Sequence, residues 1–368
     1  MSKPAAAPSR PRKLLLYTAS FLVLMVVSVA ALAIVEIGLR WFAPQEVRIV
    51  RGNVKYLSDY DPLTGGVLHP GAWAHIKGGE YEIDARVNGE GMRDETPHPT
   101  PAPPGNIRIL ALGDSFTFGT SVNYDDSWVV LLEKELRARG LHADVVKAGI
   151  PSYDTRAELI TLQRLYDRYR PDVVLVCFLP NDLFTNLPSS WRPDSPGQAK
   201  EVVNPTDHSW SLQTIMLFQR LVFQSDALYV KLYSMTSRRA FFTPQPVGAA
   251  AVQFAVTRDL FGEMQDYCRQ RNIRLAVLSV PEFFQVLVKA SPVKPPGIDP
   301  EHIDQDLGTF AASRGIVWIP TLDGLASDYV QSRQSAYYRV NGHLTPRGNR
   351  LVTELLVPKL LPVIQAGK

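Results

Sequence analysis

The chain has 368 residues, of which 45% are hydrophobic and 20% charged, ordinary globular proportions for one large or two modest domains. Its net charge is +3, but Lys3, Arg10, Arg12 and Lys13 all precede residue 14. The remainder is therefore close to neutral, which removes any electrostatic case for a nucleic-acid partner.

Residues 14–35, "LLLYTASFLVLMVVSVAALAIV", contain no charged group and are long enough to cross a bilayer as a helix. The basic residues lie before this run, so the N-terminus is expected in the cytoplasm and the rest of the chain outside it, in the periplasm of a two-membrane cell. "VAALA" contains an A-x-A element, so removal as a signal peptide is the alternative. The length of the run favours an uncleaved signal-anchor. We divide the chain into a basic tail at 1–13, an anchor at 14–36, a membrane-proximal segment at 45–95, a Pro-rich linker at 96–105 and a main domain at 106–362.

"TPHPTPAPPG" at 96–105 should run extended. Strands and helices then alternate. "IRILALG" reads as a strand and "SWVVLLEKELRARG" as a helix ending at Gly140. "ADVVKAG" reads as a strand, followed by "DTRAELITLQRLYDRY" as a helix with Asp154 as N-cap. "DVVLVCF" reads as a buried strand. A long insertion at 184–250 follows, with "LPSSWRPDSPGQ" as loop and "SLQTIMLFQRLVFQSDALYVKLYSM" as one helix with a broad apolar face. It is either a functional lid or a helical element packed on the body. The helix "AVTRDLFGEMQDYCRQRN", the strand "IRLAVLSV", a helix near 299–314 and the strand "IVWIP" come next. In the last helix Thr345 fits the N-cap and Pro346 the first helical position.

Continuous Val/Ile/Leu strands between helices indicate a parallel sheet covered on both faces. The expected fold is a flavodoxin-like three-layer α/β/α sandwich around a mainly parallel five-stranded sheet, plus the N-terminal transmembrane helix. Cys177 lies in a buried strand and Cys268 in a polar helix, which favours two free thiols over a disulfide. No spacing suggests a metal site, and no cofactor is expected.

Ligands of such a sheet bind beyond the carboxyl ends of the strands. The first strand is followed by "GDSFTFG" with Ser115, the second by "AGIPSYD" with Gly149, and the third by "LPNDLF" with Asn181 and Asp182. "YYRVNGHLTPRGN" near the end of the chain brings His343. Taken singly, each is an ordinary turn, cap or loop residue. Together they are the parts for acyl transfer: Ser115 as nucleophile and His343 as base. The oxyanion donors would be the N–H groups of Ser115 and Gly149 and the amide of Asn181.

These four stretches resemble the motif blocks of the SGNH (GDSL-type) hydrolases, over roughly 106–362. "RVNGEGMRDE" followed by a Pro-rich stretch is also similar to membrane-anchored bacterial members. The resemblance implies Ser115 as nucleophile, Gly149 and Asn181 as oxyanion donors and His343 as base, with Asp114 and Asp182 as supporting residues. Members include esterases, lipases, thioesterases, carbohydrate deacetylases and O-acetyltransferases, so an acyl ester, carbohydrate-borne or not, is the implied substrate. The chain departs from the pattern twice. Leu179 stands where the third block usually has glycine. The last block usually carries an aspartate three or two residues before the histidine, and Val340 and Asn341 occupy those positions. Three readings follow: Asn341 orients the imidazole through its amide oxygen; a backbone carbonyl or a distant carboxylate such as Asp323 does so; or catalysis is weak or absent. The functions left open are an extracytoplasmic ester hydrolase, an O-acyltransferase that uses the same residues on a surface polysaccharide or cell-wall sugar, and, from the missing acid, a non-catalytic glycan- or partner-binding module. A flavodoxin-type phosphate loop at "SFTFGTS" would leave Asn181 and His343 without roles.

Overall fold

The computed structural model describes residues 10–45, 49–53, 57–95, 98–186 and 212–366. The expected basic tail up to residue 9, the first two residues of the Pro-rich stretch and the loop "LPSSWRPDSPGQ" lie outside the described residues.

Helix α1, Arg10–Phe42, opens the described chain. Within its stretch Leu14–Phe42 an 18-residue window has a mean hydropathy of 2.7, and none of that window is buried against the protein, as in a candidate membrane span. Strands β1 (Ile49–Gly52), β4 (Trp73–Lys77) and β5 (Glu82–Arg86) form a small antiparallel sheet, and β2 (Ser58–Asp59) pairs with β3 (Val67–Leu68). Burial alternates strictly along β4 and β5, the period-two pattern of a one-sided sheet. Its inner face, including Ala74, Ile76, Ile83 and Ala85, shares a core with Phe118, Ile150, Tyr153 and Ala157. The 45–95 segment is thus packed onto the loops that follow the first two strands of the main sheet. His98, in the Pro-rich stretch, is buried between the carboxylates of Asp94 and Asp144.

The main sheet consists of β6 (Ile107–Gly113), β7 (Ala143–Gly149), β8 (Val173–Phe178), β9 (Arg274–Ser279) and β10 (Val317–Pro320), all parallel. Their spatial order, β10-β9-β8-β6-β7, is the doubly wound order in which direction reverses beside the first strand. Every residue of β6, β7 and β8 is buried, which explains their largely apolar sequences; the charged exceptions, Arg108, Asp144 and Lys147, are ion-paired. Alternate residues supply two cores. Ile109, Ala111, Val173 and Leu175 face helices α3 (Trp128–Ala138) and α12 (Pro346–Gln365). Leu110, Leu112, Val174 and Val176 face α4 (Thr155–Tyr169) and α8 (Ala249–Arg269). Asp154 caps α4, accepting from the Ala157 N–H at 3.0 Å, and Thr345 caps α12, accepting from the Gly348 N–H at 3.0 Å. Cys177 and Cys268 are free and buried.

The insertion departs from the single helix expected of it. It contains α6 (Gln213–Gln224) and α7 (Asp226–Tyr233), separated at Ser225, whose hydroxyl accepts from the Leu228 N–H. A serine followed by an aspartate is a helix-start signal inside an apolar run, and it overrides the periodicity. Short helices α2 (Ser115–Phe118) and α5 (Pro180–Thr185) follow β6 and β8, while α9 (Phe283–Ala290), α10 (His302–Arg314) and α11 (Leu322–Ser332) complete the layers.

Candidate active site

β6 ends at Gly113, and Asp114 starts α2 by accepting the Phe116 N–H at 2.8 Å. Ser115 is therefore the first residue of a helix at the carboxyl edge of the first strand. Gly113 pairs with Gly149 on one side and with Cys177 on the other, so the three strand ends that carry Ser115, Gly149 and Asn181 are adjacent.

His343 arrives from the far end of the chain on a hairpin-like turn. Tyr337 bridges to Leu344, the Tyr338 N–H donates to the His343 carbonyl at 2.8 Å, and the Gly342 N–H donates to the Tyr338 carbonyl at 2.9 Å. Gly342 has φ +82°, a left-handed conformation that suits glycine, so "NG" marks the turn itself. The turn is moored by the buried hydroxyl of Tyr337, which donates to the Pro281 carbonyl at 2.6 Å. The result places Nε2 of His343 2.8 Å from Oγ of Ser115, with the Phe116 ring 5.0 Å from the imidazole, centroid to centroid.

The other ring nitrogen, Nδ1, lies 2.7 Å from Oδ1 of Asn341. An amide oxygen can only accept, so Nδ1 carries the hydrogen and Nε2 presents its lone pair to the serine hydroxyl. Oδ1 also accepts from the Ser121 hydroxyl at 2.6 Å, and two donors converging on one oxygen fix which way the amide points. The backbone behind it is held as well. The Glu80 carboxylate accepts the N–H groups of Val340, at 3.1 Å, and of Asn341, at 2.7 Å. Asp323, the distant carboxylate considered from sequence, is instead paired with Lys289 at 2.9 Å.

Asn181 begins the turn after β8. Its Nδ2 donates to Oδ2 of Asp114 at 3.1 Å, which leaves the second amide hydrogen to be aimed elsewhere. Oδ2 of Asp114 also lies 3.4 Å from the Ser115 hydroxyl. Burial pushes the Asp114 carboxyl up to about 6, against the pull of these hydrogen bonds. Asp182 is fully buried and receives the Leu179 N–H at 3.4 Å. Its pKa is raised by burial and by the neighbouring Glu158 and Asp114 carboxyls, and that of Glu158 by burial, Asp114 and Asp154. A buried group of acids behind Asn181 thus favours neutral, protonated forms. Gly149 has a packing reason of its own: a Cβ there would lie 2.4 Å from the Phe118 nitrogen and 2.5 Å from the Thr117 carbonyl carbon. The glycine lets the end of β7 approach α2 at backbone distance.

Ser115, His343, Asn341, Asn181 and Asp114 are therefore joined by direct hydrogen bonds, and Gly149 by backbone packing. Three contributors escaped the sequence reading: Glu80, Ser121 and Arg93. The buried Arg93 guanidinium donates to the carbonyls of Phe118, Gly119, Val122 and Asp84, stapling the turn after α2 to the small sheet. Its sequence neighbours, "GMRDE", hold the only hint, since a buried arginine must find acceptors and loops supply carbonyls.

The sequence model of the GDSL-like Lipase/Acylhydrolase family matches residues 111–351, from the strand that precedes Ser115 to beyond His343. The chain belongs to the GDSL-like lipase/acylhydrolase family. An arylesterase of Vibrio mimicus is 32% identical over 81 residues, 22% of this chain; the matched stretch takes in 40% of that protein's length. Among solved structures, TesA is 16% identical, with 70% of this chain and 99% of that one aligned at a TM-score of 0.42. The psychrotrophic esterase EstA from Pseudoalteromonas sp. is 13% identical, with 70% and 98% aligned at a TM-score of 0.39. The family is one of ester-cleaving serine enzymes, and a serine within hydrogen-bond reach of a histidine at the sheet's carboxyl edge agrees with that assignment.

Proposed function

We propose that this family member is a membrane-anchored, extracytoplasmic ester hydrolase in which Ser115, His343 and Asn341 work as one relay. The observation that carries the proposal is the continuous set of hydrogen bonds from Ser115 Oγ through the imidazole to Asn341 Oδ1. Ser115 Oγ forms a bond to the acyl carbon as its proton passes to Nε2 of His343. The carbonyl oxygen becomes an oxyanion that takes donors from Ser115 N–H, Gly149 N–H and the free amide hydrogen of Asn181. Collapse breaks the ester C–O bond, and the departing alkoxide takes the proton from Nε2. Water then repeats the sequence on the acyl-serine and releases the acid. A sugar hydroxyl in place of that water would turn the same steps into acyl transfer, and the ratio of acylated glycan to free acid measures which acceptor is used.

Asn341 holds the ring in the working tautomer but brings no charge to stabilise the imidazolium. The Glu80 carboxylate, bonded to the Asn341 N–H, supplies negative charge one residue further out. The outward orientation rests on the basic residues before the anchor. The test is labelling with a fluorophosphonate. The folded wild-type chain should label and Ser115→Ala should not; a folded wild type that resists the reagent ends the proposal.

A further inference from the structure

The uncharged run 14–35 rises about 33 Å at 1.5 Å per residue, close to the ~30 Å hydrocarbon core of a bilayer. Glu36 therefore falls at the boundary where the anchor leaves the membrane. Its carboxylate accepts the N–H groups of Gln213 and Thr214, each at 2.9 Å, and the Thr214 hydroxyl at 3.0 Å. The first turn of α6 is thus capped by the anchor helix itself, at the level of the membrane surface.

From that point α6 carries a row of exposed apolar side chains, with Ile215 at a cleft against the turns at 78–81 and 339–341 and Phe218 and Leu221 outside it. Ile215, Phe218 and Leu221 are 51%, 66% and 58% exposed and recur every three residues. On α7, Leu228 and Leu232 are also exposed. The one charged residue of α6 is Arg220, and the helix has no acid, a balance suited to anionic headgroups. A row of large apolar side chains, each more than half exposed on one short helix, is the kind of patch that marks an interaction surface.

We propose that α6 and α7 lie in the membrane interface, with the stripe of Ile215, Phe218 and Leu221 inserted among the lipids. The occupant is the bilayer rather than a second copy of the chain, because the stripe begins at the residue where the anchor emerges and is fixed there by Glu36. The proposal rests on α1 being a membrane anchor and is independent of the catalytic reading. Its consequence is positional. A cleft of about 820 Å³ lies between α6, the turn at 78–81 and the turn at 339–341, so the Asn341 side of the site faces the headgroup layer.

The test uses the full chain in nanodiscs of phosphatidylcholine and phosphatidylglycerol, spin-labelled one position at a time through Ile215→Cys, Phe218→Cys, Leu221→Cys and Glu263→Cys. The native thiols are buried, and the unsubstituted chain gives the background. Collision with oxygen relative to a water-soluble nickel chelate should be at least fivefold higher at 215, 218 and 221 than at 263, and unchanged when Ser115→Ala is added. Equal ratios at all four positions overturn the proposal. So does dipolar coupling between labels on two chains with no lipid signature, which would assign the face to a second copy. A label at Val26→Cys that reads as water-exposed overturns it through the anchor.

Discussion

Oδ1 of Asn341 lies 2.7 Å from Nδ1 of His343, where an aspartate oxygen would ordinarily be in a serine triad. The amide does the geometric part of that work and leaves out the electrostatic part. If so, Asn341→Asp should raise kcat/KM, by roughly tenfold at most because Glu80 is already close and adds repulsion. The added charge favours imidazolium, so the acid limb of the pH profile should move to higher pH. Asn341→Ala should lower kcat on the order of 10²-fold. Steady-state rates on a chromogenic short-chain ester across pH 5–9 check both.

Glu80 and Ser121 hold Asn341 from two directions. Ser121→Ala removes one of the two donors that fix the amide, and a three- to tenfold loss of kcat with little change in KM is expected, about the worth of one hydrogen bond. Glu80→Gln keeps an acceptor and removes the charge. It should shift the acid limb to lower pH while leaving the melting temperature nearly unchanged; a lower melting temperature with an unmoved pH profile would mean that Glu80 is structural only.

Gly149→Ala would force a Cβ against the backbone of Thr117 and Phe118. Backbone cannot swing aside as a side chain can, so the expected cost is about 2–3 kcal/mol or more. Chemical denaturation should show it, and fluorophosphonate labelling should slow even in the folded fraction, because the displaced segment includes α2.

His98 makes stability fall at alkaline pH. Burial alone would lower its pKa, but the Asp144 and Asp94 carboxylates outweigh burial and hold it at about 9. Asp94, raised by burial and lowered more by His98 and Lys147, is held near 2. The histidine's contribution is full below its unfolded value of about 6.5 and is lost as pH rises through 9; the aspartate's is full above about 4 and is lost as pH falls toward 2. The contribution of this pair should therefore be level between these limits and decline from pH 6.5 to 9.5, by up to ~3 kcal/mol of unfolding free energy in urea, on top of the separate loss with rising pH that the raised pKa values of buried Asp114, Asp182 and Glu158 bring. In His98→Gln the histidine's part of the alkaline decline should disappear, so the difference between the two chains isolates it.

The main sheet was legible because β6, β7 and β8 are buried on both faces, so largely apolar runs such as "IRILALG" and "DVVLVCF" had no competing pattern. The strand ends then placed Ser115, Asn181 and Gly149 side by side. The small sheet of the 45–95 segment was not legible: its strands are two to five residues long, and β4 and β5 alternate exposed with buried residues. In the sequence Asn341 is one of three readings for the orienter, because it fills an aspartate position of the family's last motif block, and its oxygen lies 2.7 Å from Nδ1 of His343. Glu80 had no local signal, since 260 residues separate it from Val340 and only the tertiary fold brings the two together.

The family match begins at residue 111, whereas Glu80 and Arg93 come before it. A gene fragment trimmed to the matched span would encode every motif residue of the family. It would still lack the carboxylate behind Asn341 and the guanidinium that ties down the turn after Ser115. In this chain the contacts that hold the candidate site reach upstream of the matched span, and a deletion series from the N-terminus should lose activity before it reaches the first motif.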